Sequence, residues 1–142
     1  MSESVHRPTV REQDFEKEFG SLAAVFAHLD TALADAKLDD QGRFALELAV
    51  EELFTNMVKY GSGRGRISVR VAAEPGSVRV DLVDPDTEPF DPTSFPAVDT
   101  TRPIEERKRG GLGLHLIRSM MDGFEYDYRG REMTVSVTKY LE

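Results

Sequence analysis

The sequence predicts an α+β domain, a two-layer sandwich with a mostly antiparallel sheet and helices on one face, and three observations carry it. Some segments repeat apolar residues every three or four positions, which is the period of a helix with one buried face. Others alternate apolar and polar residues, which is the period of a strand. The alternating segments come in pairs across short turns, so hairpins rather than parallel βαβ crossovers connect them. With 142 residues, the chain is read as one domain spanning 1–142, large enough to bury roughly two-thirds of the surface its unfolded form exposes.

The elements follow in order. Residues 9–19 are weakly patterned, and a short edge strand is expected only at 9–11. Residues 20–37 space Leu22, Val25, Phe26, Leu29 and Leu33 as a helix, with Ser21 as N-cap. A second helix is expected over 40–60, where Leu46, Val50, Leu53, Met57 and Tyr60 form one stripe and Gly61 stands at the C-cap position. Ile67, Val69 and Val71 alternate over 66–72, Pro75-Gly76 marks a turn, and 78–84 alternates again. Residues 85–110 hold five of the seven prolines and no sustained period. A loop of that length inside a small domain is expected to be a lid or binding loop. A third helix opens at Gly110-Gly111 with Leu114, Ile117 and Met121 on one face. Two strands, 124–128 and 133–141, close the chain around Arg129-Gly130-Arg131.

Composition narrows the chemistry. Lys and Arg total 18 against 26 Asp and Glu, a formal charge of -8, which repels a phosphodiester backbone, so no direct nucleic-acid contact is expected. There is no cysteine, which removes disulfides, thiolate zinc sites and a cysteine nucleophile and suits a reducing compartment. Neither a signal-peptide core nor a run near the ~20 apolar residues of a membrane span is found, and the expected location is the cytoplasm.

Three clusters carry the chemistry. On the second helix, Glu52 and Asn56 lie one turn apart beside the side chains of Ala45 and Ala49. The carboxamide oxygen suits a hard cation such as magnesium, and the carboxylate suits proton transfer. Taken alone, the same pair also describes a solvated helix flank. Asp84 shares the parity of Val78, Val80 and Leu82, which aims its carboxylate at the helix layer, where an adenine amino group would satisfy it. A turn-initiating Asp before Pro85 is the other reading. In Arg107-Lys108-Arg109-Gly110-Gly111-Leu112-Gly113 a basic run meets glycines at a helix start, where free amides bind phosphate and Arg109 offers a planar donor fork, unless the segment is only a hinge. Neither G-x-x-x-x-G-K-[ST] nor G-x-G-x-x-G occurs, which sets aside the P-loop and dinucleotide-binding readings. Histidines lack metal-ligand spacing, and Lys59, Arg64 and Arg66 read as a charged approach to a hairpin.

Together, ELAVEELFTNMVKYG, VRVDLVDPDTEPFDP and RGGLGLHLIRSMMDGFEY occur in the order and approximate spacing of the Bergerat-fold (GHKL) ATPases, and the chain most resembles their small anti-sigma-factor serine/threonine kinase branch. The resemblance implies a role for each matching residue. Asn56 would chelate magnesium, Glu52 would act as general base on a substrate hydroxyl, and Asp84 would read adenine. Gly111 and Gly113 would cradle the phosphates, with Arg109 as a lid arginine. It further implies ATP and Mg2+ as cofactors, an anti-sigma antagonist of the STAS type as substrate, a sigma factor as a further partner, and a homodimer.

One departure stands out. Where the family has glycine two residues after the adenine-reading aspartate, this chain has Asp86, and the stretch to Pro89-Phe90-Asp91-Pro92 is one residue longer. Asp tolerates left-handed backbone angles better than most residues, yet its added charge opposes nucleotide binding. The alternative is therefore a non-catalytic interaction module on the same scaffold with a degenerate nucleotide pocket. A detached histidine-kinase catalytic domain is disfavoured, because no phosphoacceptor helical hairpin accompanies it.

Overall fold

The computed structural model describes residues 9–61, 65–89 and 117–141. Five strands form one sheet: β1 (Thr9–Glu16), β2 (Arg66–Glu74), β3 (Ser77–Asp84), β4 (Gly123–Arg129) and β5 (Glu132–Tyr140), in the order β1-β2-β3-β5-β4. Every neighbouring pair is antiparallel. Two helices, α1 (Leu22–Ala32) and α2 (Asp40–Tyr60), connect β1 to β2. The expected α+β sandwich is thus observed.

Alternation decides which face is covered. Ile67, Val69 and Val71 on β2, Val78, Val80 and Leu82 on β3, and Met133, Val135 and Val137 on β5 are all buried, against Val25, Leu29, Leu46, Val50, Leu53, Phe54 and Met57 of the helices. Each large aliphatic side chain removed from water in this way contributes about 1.5–3 kcal/mol. The opposite face is held by polar contacts instead: Arg79 pairs with Asp81 at 2.9 Å and Ser136 donates to Asp81 at 2.6 Å. The hydrogen bond to Asp81 raises the Arg79 pKa above its ordinary value, against a smaller opposing effect of burial.

Several expectations are corrected. The first strand runs through Glu16 rather than stopping at residue 11, and it pairs with β2 along its whole length. Only Phe15 of its eight residues is buried, so the strand carries almost no alternation to detect. The first helix ends at Ala32, not near residue 37, and begins after a short 3-10 turn, Phe19–Ser21. Ser21 occupies the N-cap position but its hydroxyl donates back to the Glu16 carbonyl at 2.8 Å rather than capping the helix. The second helix has the predicted bounds, with Asp39 accepting from the Gly42 amide at 2.7 Å as its N-cap. Tyr60, expected on the buried stripe, is exposed, and its ring instead lies under the Lys59 ammonium, 5.2 Å from the centroid. Of the third helix, residues 117–120 are described as helical, with Ile117 and Met121 in the core. The β4–β5 turn uses Gly130 at φ 53° and Arg131 at φ 72°, the paired left-handed angles of a two-residue hairpin. Among the described residues no helix is long and apolar enough to cross a membrane.

Candidate functional site

The end of α2 meets the end of β3 at Gly61 and Asp84, and Glu52 and Asn56 lie in the turns of α2 that lead to this point. Asn56 is only 3% exposed, while Glu52, one turn earlier, is half-buried. Ala45 and Ala49 on the same side are buried as well. This side of α2 is therefore not a solvated flank. Among the described residues, Asn56 Oδ1 is buried without a hydrogen-bond partner, a costly state for a carboxamide oxygen. An oxygen of this type, neutral and hard, fits a magnesium ion and the nucleotide phosphates around it.

Asp84 is fully buried and continues the inward face of Val78, Val80 and Leu82, as its parity predicts. Its two oxygens have different neighbours. Oδ1 accepts from the Asp86 amide at 3.1 Å, closing an Asx turn, and Oδ2 lies 2.9 Å from the Lys17 ammonium. Lys17 is itself only 9% exposed at the side chain and donates a hydrogen bond to the Asp86 carbonyl at 3.1 Å.

Gly61 joins the two clusters. A Cβ at this position would lie 2.3 Å from the Met57 carbonyl oxygen and 3.2 Å from Asp84 Oδ2. Gly61 is the C-cap of α2, as expected, but with φ at -69° it is close approach and not a left-handed angle that calls for glycine. The end of α2 is thereby held directly against the Asp84 carboxylate.

The turn that departs from the family pattern is held from several sides. Asp86 is not among the positive-φ residues; of the described non-glycine residues only Arg131 is. The position therefore makes no demand for glycine's backbone freedom, and the tolerance of Asp for left-handed angles is not called upon. The Asp86 carboxylate meets Arg131 Nε at 2.6 Å, and that hydrogen bond first, with the charge behind it, raises the Arg131 pKa above its ordinary value. The added charge of Asp86 is thus paired. Thr87 is buried, its amide donates to the Arg131 carbonyl at 2.8 Å, and its own carbonyl accepts from the Tyr128 hydroxyl at 2.8 Å. Within the expected loop over 85–110, residues 85–89 are described, and the rest, with Arg109, Gly111 and Gly113, lies outside the described residues.

Lys17, Thr87 and Arg131 escape a motif-based reading. Lys17 lies two residues beyond Phe15 and shares its inward parity, a signal that would have pointed to it had β1 been extended to Glu16. Thr87 and Arg131 give no periodic signal, because both sit in turns. Of the remaining singletons, His28 and Arg66 make structural contacts, and His6, Arg64 and His115 lie outside the described residues. The Val69 carbonyl can only accept, so His28 Nε2, 2.9 Å away, carries a proton. Arg66 pairs with Glu16 at 2.8 Å. Among the described residues no group of His, Asp and Glu could hold a metal ion. A cavity of about 790 Å³ lies at the other end of α2, bordered by Phe44, Met120 and Tyr140 among others, and none of Glu52, Asn56 or Asp84 lines it.

A five-stranded antiparallel sheet covered by helices, with a buried carboxamide on α2 and a buried carboxylate at the end of β3, is consistent with an ATPase domain of the histidine-kinase-like class. The chain belongs to the histidine kinase-like ATPase domain family, whose model matches residues 15–139. Among solved structures, it is similar to the RsbU and RsbW domains of Rv1364c from Mycobacterium tuberculosis, with 17% identity and a TM-score of 0.66 over 92% of this chain. The match spans 32% of that longer chain, and at this identity it supports the fold alone. No curated protein matches the sequence.

Proposed function

We propose that this domain is an ATP-dependent serine/threonine protein kinase of the anti-sigma type, which phosphorylates a small anti-sigma antagonist of the STAS class and regulates a sigma factor by binding it. The observation that carries the reading is Asn56 Oδ1 in the last turns of α2, buried and, among the described residues, without a hydrogen-bond partner. Such an oxygen costs stability of about 1–3 kcal/mol unless a ligand supplies what the fold does not. Membership of the histidine kinase-like ATPase domain family supports the nucleotide part of the reading, and the anti-sigma branch rests on the resemblance carried by the three motif segments.

Asn56 would ligate magnesium, which when bound neutralises phosphate charge. Asp84 accepts from the adenine amino group. Half-buried Glu52 takes the proton of the substrate hydroxyl as its oxygen bonds to the terminal phosphorus, and the bond from that phosphorus to the departing diphosphate oxygen breaks. Arg109 and the backbone at Gly111 and Gly113 are assigned to the phosphates by resemblance, with the 85–110 loop as lid. A homodimer in the cytoplasm completes the proposal.

A second reading, a non-catalytic module, is favoured by one observation: the carboxylate that would read adenine already faces an ammonium ion. A single series separates the two. Magnesium-ATP should raise the melting temperature of wild type and of Glu52→Ala alike, since a ligand at a hundred times its dissociation constant adds about 2.7 kcal/mol. Transfer of labelled phosphate to the antagonist should then fail in Glu52→Ala by roughly 10²–10⁴-fold, the usual contribution of a general base. A wild type that shows no shift at millimolar nucleotide favours the module, and undiminished turnover in the variant removes Glu52 from the mechanism.

A further inference from the structure

The Lys17–Asp84 pair lies outside the three motif segments on its lysine side, and the phosphoryl-transfer scheme leaves it unused. We propose that Lys17 is a positioning residue that sets nucleobase selectivity. By clamping Asp84 Oδ2 and the Asp86 carbonyl, it fixes the orientation of the carboxylate as an acceptor, which admits a purine with an amino group at C6 and disfavours one with an oxygen there. The inference rests on the proposed nucleotide site.

The geometry is specific. Lys17 Nζ reaches Asp84 Oδ2 at 2.9 Å and the Asp86 carbonyl at 3.1 Å, so one ammonium fixes both the side chain and the turn that follows it. The Asp86 amide holds the other oxygen at 3.1 Å. Oδ1 thus already receives a donor, while Oδ2 accepts no hydrogen bond among the described residues and faces the ammonium as an ion pair, so its lone pairs remain to be offered to a ligand. A base edge presenting N–H is accepted, and a carbonyl oxygen placed in the same register meets like partial charge. The paired cation is what makes a charged carboxylate tolerable at a fully buried site. Without it, neither Oδ2 nor the turn carrying the Asp86 carbonyl keeps its shared anchor, and a carboxylate free to rotate no longer presents a fixed acceptor that distinguishes the two edges.

The test is calorimetric titration of the full chain with magnesium-ATP and magnesium-inosine triphosphate, which differ at C6. Wild type is expected to favour ATP by at least roughly tenfold. Lys17→Met should bring the two within about threefold, and Lys17→Arg, which keeps the cation, should restore the preference. Lys17→Met also strands a buried carboxylate, so the pair of variants Asp84→Asn and Lys17→Met/Asp84→Asn is measured beside it; the double variant carries neither charge. If Lys17 acts through Asp84, these two share one nucleotide ratio. An ATP preference undiminished in Lys17→Met, or a ratio that changes again on adding Lys17→Met to Asp84→Asn, overturns the proposal and leaves the kinase reading standing. A wild type that binds neither nucleotide overturns both.

Discussion

Asn56 on α2 and Asp84 at the end of β3 are both buried polar side chains, but the fold treats them differently. Among the described residues neither Asn56 Oδ1 nor Asp84 Oδ2 accepts a hydrogen bond, but Asp84 Oδ2 is compensated by a buried ammonium at 2.9 Å and Oδ1 by a backbone amide, whereas Asn56 Oδ1 has no such neighbour. Burying an acceptor without a partner is destabilising, and burying a paired charge is tolerable only while both members remain. The fold therefore compensates Asp84 from its own residues and leaves Asn56 Oδ1 uncompensated, which on the proposed function is the difference between the base-reading end of the site and its metal end. Stability and ligand binding should consequently separate at one residue and coincide at the other.

The sharpest way to break this comparison is at Asp84. Asp84→Ala leaves the Lys17 ammonium buried beside an apolar methyl, and removing one member of a buried pair typically costs about 3–5 kcal/mol. Urea denaturation without nucleotide should show a loss of that size, together with a lower midpoint. A loss below about 1 kcal/mol, the range of an exposed pair, would mean that Lys17 swings into solvent and that the pair is not built into the fold.

Gly61→Ala comes next and tests the joint between the two ends. The added methyl would sit 2.3 Å from the Met57 carbonyl oxygen and 3.2 Å from Asp84 Oδ2, and the first of these contacts is with backbone that cannot turn aside. Overpacking of this kind costs about 1–3 kcal/mol. Because φ at Gly61 is -69°, the loss would come from crowding alone, with no contribution from an unsuitable backbone angle. A variant as stable as wild type would show that the end of α2 can retreat from β3, and nucleotide affinity should then be measured on it to find whether the close approach matters for binding.

Legibility in the sequence follows burial. Strands β2, β3 and β5 lie inside the sheet with one covered face, so their alternation is complete and even fixes the inward direction of Asp84. Strand β1 lies at the edge and buries Phe15 alone, which is why its length, and with it the position of Lys17, was not readable. Local motifs located Glu52, Asn56 and Gly61 because helix spacing and helix ends are written over a few consecutive residues. The contacts among Lys17, Asp84, Asp86 and Arg131 link β1, the turn after β3 and the β4–β5 hairpin, and no local pattern encodes contacts across that distance in the chain. The apparent defect at Asp86 shows the same limit. From the sequence, a missing glycine and an added charge count against a working site; in the fold the backbone is unstrained there and the charge is paired.

The smallest effect on stability is expected at the other member of the comparison, and its sign is the informative part. Asn56→Leu replaces a partnerless buried oxygen by carbon of similar volume, removing a desolvation penalty of about 1–3 kcal/mol while adding no charge. Packing adjustments of up to about 1.5 kcal/mol accompany shape changes in a core, so the nucleotide-free variant should be as stable as wild type or slightly more so in urea titrations. The same variant should lose the magnesium-dependent part of its ATP affinity, since leucine offers a cation no ligand. Gain of stability with loss of binding is the pattern of a residue kept for function at a cost to the fold. A loss exceeding about 2 kcal/mol would instead mean that Asn56 is satisfied within the free protein, and the contrast with Asp84, along with the case for a metal at this end of the site, would fail.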